Sequence, residues 1–424
     1  MTAGPQLPPD LVADLFRHRY AKLVAGLCRV LGPRHLELAE DVVQEALLRA
    51  LRVWPAEGVP DQPEAWLCRV AKNAALDALR RAGLGSSIEA KLRQWADEPA
   101  RPPAEPPEIV DDTLRLLFLC AHPTVPPDTR VPLLLKLVCG LGVPTIASGL
   151  LQKEATIAQR LSRAKARLQR GEPFALPSLA ELPARLDEVL AALYLVFNEG
   201  YRAHAGANLL RSDLVDESIR LTALLLEHDP LRTPAVHALL ALQLLLGARS
   251  PARVDAQGEL VPLSRQDRAR WDRRWVQCGF HHFRLAIGGD QLTPFHVEAA
   301  IASVHAAAPT YADTDWALIL GHYDQLLQLS PSPVVRLNRA VAVGKVHGAT
   351  AGLAALAGLA EDRALADYVL LGAVTAQLHW ERGDTAAAAT ALRAALQQPC
   401  SEPERRLLAR RLEACERNEA LGPW

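Results

Sequence analysis

The sequence predicts an all-α protein, on two observations. Apolar residues recur at intervals of three and four through nearly the whole chain, and no alternating run of Val, Ile and Thr is long enough to build a sheet. The single candidate for extended structure, 258–263, reads as a loop. The chain has 424 residues, 50% hydrophobic and 22% charged, which suits packed helices and excludes a disordered or collagen-like chain. Uncharged stretches such as 233–248 stop short of the roughly 18 apolar residues of a membrane span, and this one carries His237 and Gln243, so no transmembrane helix and no membrane partner is expected. The first ten residues are Pro-rich and include Asp10, unlike a secretory signal, so a cytoplasmic location is expected. Seven cysteines, scattered and without a C-x-x-C pair, predict buried reduced thiols rather than a zinc or disulfide framework.

Proline marks the divisions. The segment 96–112 holds five prolines and six acids against Arg101 alone, too broken for a helix and too charged for a core, so 96–111 reads as an extended acidic linker. A second cluster, Pro173, Pro177 and Pro183, closes the stretch after it. The expected domains are 10–95, 112–171, and a long helical C-terminal part divided into 183–329 and 330–424. The net charge is only −1, yet 128–172 carries eight bases against three acids, and a basic block on a neutral chain points to a polyanion.

In the first domain a helix over 36–54 buries Ala39, Val42, Val43, Ala46 and Ala50 and turns Asp41, Gln44, Glu45, Leu48 and Arg52 outward. Carboxylates would repel phosphate, so acids and an amide beside an exposed leucine suit a protein partner. The next helix, 62–81, is expected to pack through Leu67, Val70, Ala71, Ala74 and Ala78. Its other stripe, Trp66, Arg69, Asn73, Asp77 and Arg80, combines an aromatic ring, an amide and bases, a set able to hold an unstacked base and grip phosphates. The same spacing also fits an ordinary amphipathic helix.

In 112–171, Pro144 opens a short helix with Ile146, Ala147 and Leu150 on one face, and Gln152 and Lys153 make a turn. A second helix, 154–170, follows, with Ile157, Leu161, Ala164 and Leu168 inward. Its polar stripe is Thr156, Gln159, Arg160, Arg163, Arg167 and Arg170. Two short helices, a tight turn and a basic second helix predict a helix-turn-helix, whose second helix enters the major groove.

In the C-terminal part, Leu190, Leu193, Tyr194, Phe197 and Tyr201 line one helical face and read as core, while Asn198 and Glu199 are candidates for an interface or a buried hydrogen-bond network. Trp271 and Trp275 amid Arg268, Arg270, Arg273 and Arg274 suit either a docking surface or internal cation–π packing. Cys278, His281 and His282 lack a fourth ligand at plausible spacing, so no metal is assigned. Gly348 and Gly383 lie 35 residues apart between Ala-rich helices, and Ala388, Leu392 and Ala395 follow at spacings typical of a tetratricopeptide unit, which predicts a helical solenoid with a concave groove.

Taken in order, these runs resemble a known family. Residues 39–47 (Ala-Glu-Asp-Val-Val-Gln-Glu-Ala-Leu), Trp54-Pro55, 65–73 (Ala-Trp-Leu-Cys-Arg-Val-Ala-Lys-Asn), Leu76-Asp77 and Arg80-Arg81 are similar to region 2 of bacterial sigma factors of the extracytoplasmic-function type, and 156–165 to the recognition helix of region 4. The C-terminal runs 193–201, 266–272, 299–306, Asp315-Trp316 and 337–343 resemble the subgroup with a long tetratricopeptide-like extension. The resemblance implies a sigma region 2 helical bundle, a region 4 helix-turn-helix and a helical extension. It implies that Asp41, Gln44, Glu45 and Leu48 dock on core RNA polymerase, whose β′ clamp helices and β flap are the expected contacts. It further implies that Trp66, Arg69, Asn73, Asp77, Arg80 and Arg81 recognise and melt the minus-ten promoter element, and that Thr156, Gln159, Arg160, Arg163 and Arg167 serve the minus-thirty-five element. Gln152 departs from the apolar turn residue usual in that family. A protein or small-molecule regulator at the solenoid is a further expected partner, with Asn198, Glu199, Arg268 and Trp271 as a candidate regulatory interface. No cofactor is implied, and no Gly-rich phosphate loop, nucleophile elbow or H-E-x-x-H run suggests an enzyme. A repressor or activator using the helix-turn-helix alone would leave the Trp66 stripe and the Asp41 face unexplained.

Overall fold

The structure, a computed structural model, describes residues 20–82, 86–95, 112–122, 125–150, 152–169, 182–201, 211–362, 365, 368–417 and 419. The acidic linker 96–111 and the proline-containing stretch 170–181 lie outside the described residues. Two compact units divide at Val196/Phe197. Among the described residues there is no strand, and Val254 and Leu260 form one isolated antiparallel bridge inside the predicted loop.

The first unit begins with α1 (Tyr20–Leu31), α2 (Leu36–Glu57), α3 (Pro63–Ala82) and α4 (Ser86–Trp95). Helix α2 runs past Trp54 in spite of Pro55, and Gly58, at φ 88°, stops it by donating its N–H to the Trp54 carbonyl. Pro63 opens α3, where a missing N–H costs nothing. The core line of α3 differs from expectation. Leu67, Ala71, Ala75 and Leu79 are fully buried, with Leu76 beside them, whereas Val70, Ala74 and Ala78 are only half-buried. In an alanine-rich helix two neighbouring stripes are almost equally apolar, and the large Leu79 decides which one turns inward.

Helices α5 (Asp112–Cys120), α6 (Pro127–Leu137), α7 (Val143–Gly149) and α8 (Glu154–Gln169) follow. Helices α7 and α8 form the predicted helix-turn-helix, with Ile146, Ala147, Ile157, Leu161 and Ala164 buried between them and α6. The turn is closed by Gln152 N–H donating to the Ala147 carbonyl at 2.8 Å. Helix α9 (Leu186–Tyr201) straddles the division between the units. Its first turns belong to the first unit, through buried Arg185 donating to the Phe118 carbonyl and Glu188 paired with Arg130.

In the second unit, α10 (Ser212–Leu225), α11 (Pro234–Gly247), α12 (Arg273–Ala286) and α13 (Pro294–Ala307) surround an apolar centre. The helical run Pro234–Ala252 does reach membrane-spanning length, because a short 3-10 turn extends α11 beyond Ala248, but 72% of it is buried inside the protein. It serves as the core helix. Helices α14 (Trp316–Leu329), α15 (Pro333–His347), α16 (Ala349–Ala355), α17 (Val369–Glu381), α18 (Thr385–Leu396) and α19 (Glu402–Glu416) then pack each on the next. Gly348 (φ 86°) and Gly383 (φ 85°) make the turns α15–α16 and α17–α18, in a backbone conformation that side-chain-bearing residues rarely adopt. Close approach needs small residues too: a Cβ on Gly352 would lie 2.8 Å from Leu378 and 3.0 Å from the Cα of Gly344.

Cys28, Cys120, Cys139 and Cys415 are buried free thiols, whereas Cys278 is exposed. Burial pushes the Cys28 thiol up to about 12 and Cys120 well above its ordinary value, so both are inert at neutral pH.

Candidate functional site

Three exposed helix faces share the first unit. On α2, Asp41, Gln44, Glu45 and Leu48 all face solvent, at i, i+3, i+4 and i+7, while Val42, Val43, Ala46 and Leu47 anchor the opposite side. Leu48 is 52% exposed, which leaves an apolar side chain at the surface among Asp41, Gln44 and Glu45.

On α3, Arg69, Asn73, Asp77, Arg80 and Arg81 are exposed along one side. Trp66 is half-buried, its ring edge-on to the buried Trp54 ring at 5.4 Å. One aromatic therefore fixes the other, and part of the Trp66 face remains at the surface. Asp77 pairs weakly with Arg80 at 3.6 Å, and Arg81 donates to the backbone carbonyl of residue 77 at 3.3 Å.

On α8, Gln159, Arg163 and Arg167 are exposed and Thr156 is half-buried. Arg160 is held differently. Its guanidinium pairs with Asp128 on α6 at 3.2 Å and donates to Gln152 Oε1 at 2.9 Å. The departure at Gln152 thus has a structural use, since its side chain braces the first turn of α8 through Arg160. Arg170 and the Leu168 side chain lie outside the described residues.

One group was not anticipated. Glu40, on α2, is only 3% exposed, is ion-paired with Lys165 of α8 at 2.6 Å and accepts from the Tyr20 hydroxyl at 3.2 Å. Burial and the Glu40 carboxylate raise the Tyr20 phenol far above its ordinary value, so it remains a donor. The signal was present in the spacing: Leu36, Glu40, Val43 and Leu47 fall at +4, +3 and +4, on the buried stripe. This ion pair joins the α2 bundle to the helix-turn-helix, and α8 also packs on the 3-10 turn Pro33–His35.

On α9, Leu190 and Leu193 of the first unit and Phe197 of the second are fully buried, and Tyr194 and Tyr201 are half-buried, as expected of a core face. Glu199 is buried too, which places it in the interior, and Asn198 is half-buried. Trp271 is 5% exposed, with the Arg268 guanidinium 4.7 Å from its ring centre. Arg268 also donates to the carbonyls of His305 and Ala308 at the end of α13. Of the two readings for Arg268 and Trp271, internal cation–π packing is the one this geometry follows, because the indole is spent on the core. His282 faces His237, their Nδ1 atoms 2.9 Å apart, and burial pushes His282 down to about 4, so the pair is neutral at pH 7. Among the described residues no group of three or more His, Cys, Asp or Glu is placed to hold a metal ion.

Comparison with known proteins agrees with this layout. Residues 16–84 match the family Sigma-70 region 2 and residues 115–168 the family Sigma-70, region 4, while 185–287 match a family of unknown function, DUF6596. The uncharacterized protein R00370 of Rhizobium meliloti is 41% identical over 338 residues, covering 77% of this chain and 78% of the relative. The ECF RNA polymerase sigma factor SigG of Mycobacterium tuberculosis is 29% identical over 200 residues, 42% of this chain and 54% of the relative. The probable RNA polymerase sigma factor RfaY of Xanthomonas campestris pv. campestris is 31% identical over 154 residues, 34% of this chain and 37% of the relative. No solved structure matches. The chain belongs to one family with R00370, and its own sequence carries sigma-70 regions 2 and 4 of the extracytoplasmic-function type followed by an extension that contains DUF6596.

Proposed function

We propose that this sigma factor docks on the β′ clamp helices of core RNA polymerase through Asp41, Gln44, Glu45 and Leu48, and directs initiation inside the cell by placing α3 on the minus-ten and α8 on the minus-thirty-five element. The observation that carries the reading is the presence on one compact unit of an acidic face with an exposed leucine and two exposed basic faces on different helices. A protein surface suits the first and phosphate the other two. On this reading Arg163 and Arg167, both exposed, meet phosphates, and Thr156 and Gln159 meet base edges. Arg160 reaches DNA only if it exchanges Asp128 for a phosphate.

The two promoter elements are about 25 base pairs apart, roughly 85 Å at 3.4 Å per pair. In this structure α3 and α8 both pack on α2. Engagement of both elements then requires the Lys165–Glu40 pair to open, leaving the modules joined by 96–111, which extends to about 55 Å at ~3.4 Å per residue. The closed form stores the factor, and polymerase, by spreading the modules, selects the open one.

The decisive experiment is reconstitution with core polymerase. Asp41→Lys with Glu45→Lys is expected to weaken holoenzyme assembly at least a hundredfold, measured by sedimentation or fluorescence anisotropy, with the helical content unchanged. Assembly and start-site choice that survive the double reversal would remove the assignment.

The second unit is proposed to regulate the first in cis, since fusion holds it at high effective concentration. A chain ending at Gly171 should differ from the full chain in run-off transcription. Equal activity excludes regulation by the extension, and loss of activity assigns it a positive role.

A further inference from the structure

The second unit contains a cavity of about 350 Å³, within the range of small-molecule sites. One wall is the loop that follows Arg253, which closes on itself through the Val254–Leu260 bridge and the Val261 N–H to Arg253 carbonyl bond at 2.8 Å. It contributes Leu260, Val261, Pro262 and Leu263. Glu259, in the same loop, is fastened to Arg406 and, at 2.8 Å, to Arg410 of α19. The opposite wall comes from α15 and α17, with Val341, Leu370 and Val374, and the Trp316 indole stands at the side.

The polar groups in this apolar space are unevenly matched. Both lining carboxylates are already engaged. Glu381 accepts from Lys345 at 2.8 Å and Gln377 at 2.9 Å, and Glu404 accepts from the N–H and hydroxyl of Ser401 at 3.1 and 2.8 Å. Arg249 has no carboxylate among the described residues. Its Nε reaches only Gln266 Oε1, at 3.4 Å, and its guanidinium lies 5.6 Å from the Trp271 ring centre. Arg253, 8% exposed, is stacked over the Tyr201 ring at 3.8 Å and donates to the Tyr201 carbonyl. The Tyr201 hydroxyl, also at the cavity, is buried without a hydrogen-bond partner among the described residues. The field is felt nearby: the His305 imidazole is pushed down to about 3, first by burial and then by Arg249 and Arg268. With three lining cations against two lining carboxylates, the cavity has an excess of +1.

We propose that this cavity binds a small amphipathic anion, an apolar body carrying one carboxylate or sulfonate, with the acid group on Arg249 and the Tyr201 hydroxyl and the body against the loop, α15 and α17. A cation would meet Arg249 with no carboxylate left to receive it. A neutral apolar molecule would leave the guanidinium and the phenol unsatisfied, whereas a charge-assisted hydrogen bond answers both. A space of about 350 Å³ walled on one side by the loop pinned to α19 suits a compact ligand rather than an extended peptide. The site does not depend on the promoter reading, because its test needs no polymerase.

The full chain is titrated with two fluorescent probes that share one body: 8-anilinonaphthalene-1-sulfonate, which is anionic, and N-phenyl-1-naphthylamine, which is neutral. Both should saturate a single site. Arg249→Met should weaken the anionic probe at least tenfold and leave the neutral one within twofold. Leu263→Trp, which fills the space, should weaken both at least tenfold, with circular dichroism and thermal melting checking that each variant is folded. If Leu263→Trp does not fold, Val374→Phe is read in its place. Anionic-probe binding that is unchanged in folded Arg249→Met, or equal losses of the two probes in that variant, would overturn the assignment.

Discussion

The two units differ in the contacts that join particular helices. In the first, the link between the α2 bundle and the helix-turn-helix includes Lys165–Glu40, and α1 meets α5 partly through Arg29–Asp112 at 3.1 Å. In the second, successive helices meet through alanine and glycine, as at Gly344–Gly352–Leu378, and at Gly372, where a Cβ would come within 2.8 Å of Ala395. An ion pair can be exchanged for another partner, since water, phosphate or a protein surface can satisfy the released charges. Backbone-close packing has no such alternative. Ion pairs also cross between helices of the second unit, as at Lys345–Glu381 and Arg393–Glu416, so the contrast lies in the close glycine and alanine contacts that accompany them there and in the buried Glu40 that the first unit places under Lys165.

The comparison is most exposed at Lys165. Lys165→Met leaves the Glu40 carboxylate buried without its cation, and breaking a buried pair from one side costs about 3 kcal/mol. The effect should fall on the closed arrangement of the first unit alone. Fluorescent labels on exposed positions of α2 and α8 should report greater separation in the variant, while the unfolding transition of the second unit stays unmoved. Glu40→Gln with Lys165→Met, which removes both charges, should recover most of the loss. Equal label distances in wild type and Lys165→Met would show that apolar contacts hold the modules together.

Much of this was legible in local spacing, and what was missed has physical reasons. The outward faces of α2 and α8 follow directly from helical periodicity, because large inward residues such as Leu47 and Leu161 leave one register for each. On α3 the alanines at 71, 74, 75 and 78 blurred that contrast, and the true core line through Ala75 and Leu79 was read one position away. Glu40 was hidden because an acid in a charged run reads as solvated, and only the arrival of Lys165 from a distant helix makes its burial affordable. The cavity was not legible, since its lining runs from Tyr201 to Glu404 and no periodicity joins them. Gly348 and Gly383, singled out by their 35-residue spacing, fall at turns between helices, where their positive φ was not anticipated.

In the second unit the sharpest test is Gly352→Leu. A side chain there meets Leu378 and the Gly344 backbone at once, so α15, α16 and α17 must move apart. Overpacking of this kind costs about 1–3 kcal/mol. Calorimetry should show the melting transition of the second unit lowered by several degrees and that of the first unchanged. Gly352→Ala should give a smaller loss of the same sign. If Gly352→Leu were neutral, the close packing would be looser than the distances imply.

The smallest expected effect is pH-dependent and also belongs to the second unit. His305 and His282 have pKa values of about 3 and about 4 in the folded chain, in both cases mainly through burial, against an ordinary 6.5. A folded value below the unfolded one means that the unfolded chain binds more protons between them. Stability is therefore complete above about pH 6.5 and declines as pH falls towards the folded values. The slope for one such group cannot exceed about 1.4 kcal/mol per pH unit. Both side chains keep some contact with water, so a loss on the order of 1 kcal/mol between pH 7 and 5 is expected. His305→Phe should flatten that slope while keeping an aromatic ring edge-on to Trp316. An unchanged acid slope in a folded His305→Phe would assign the decline to other groups, His282 first, whose replacement by Phe must then remove it.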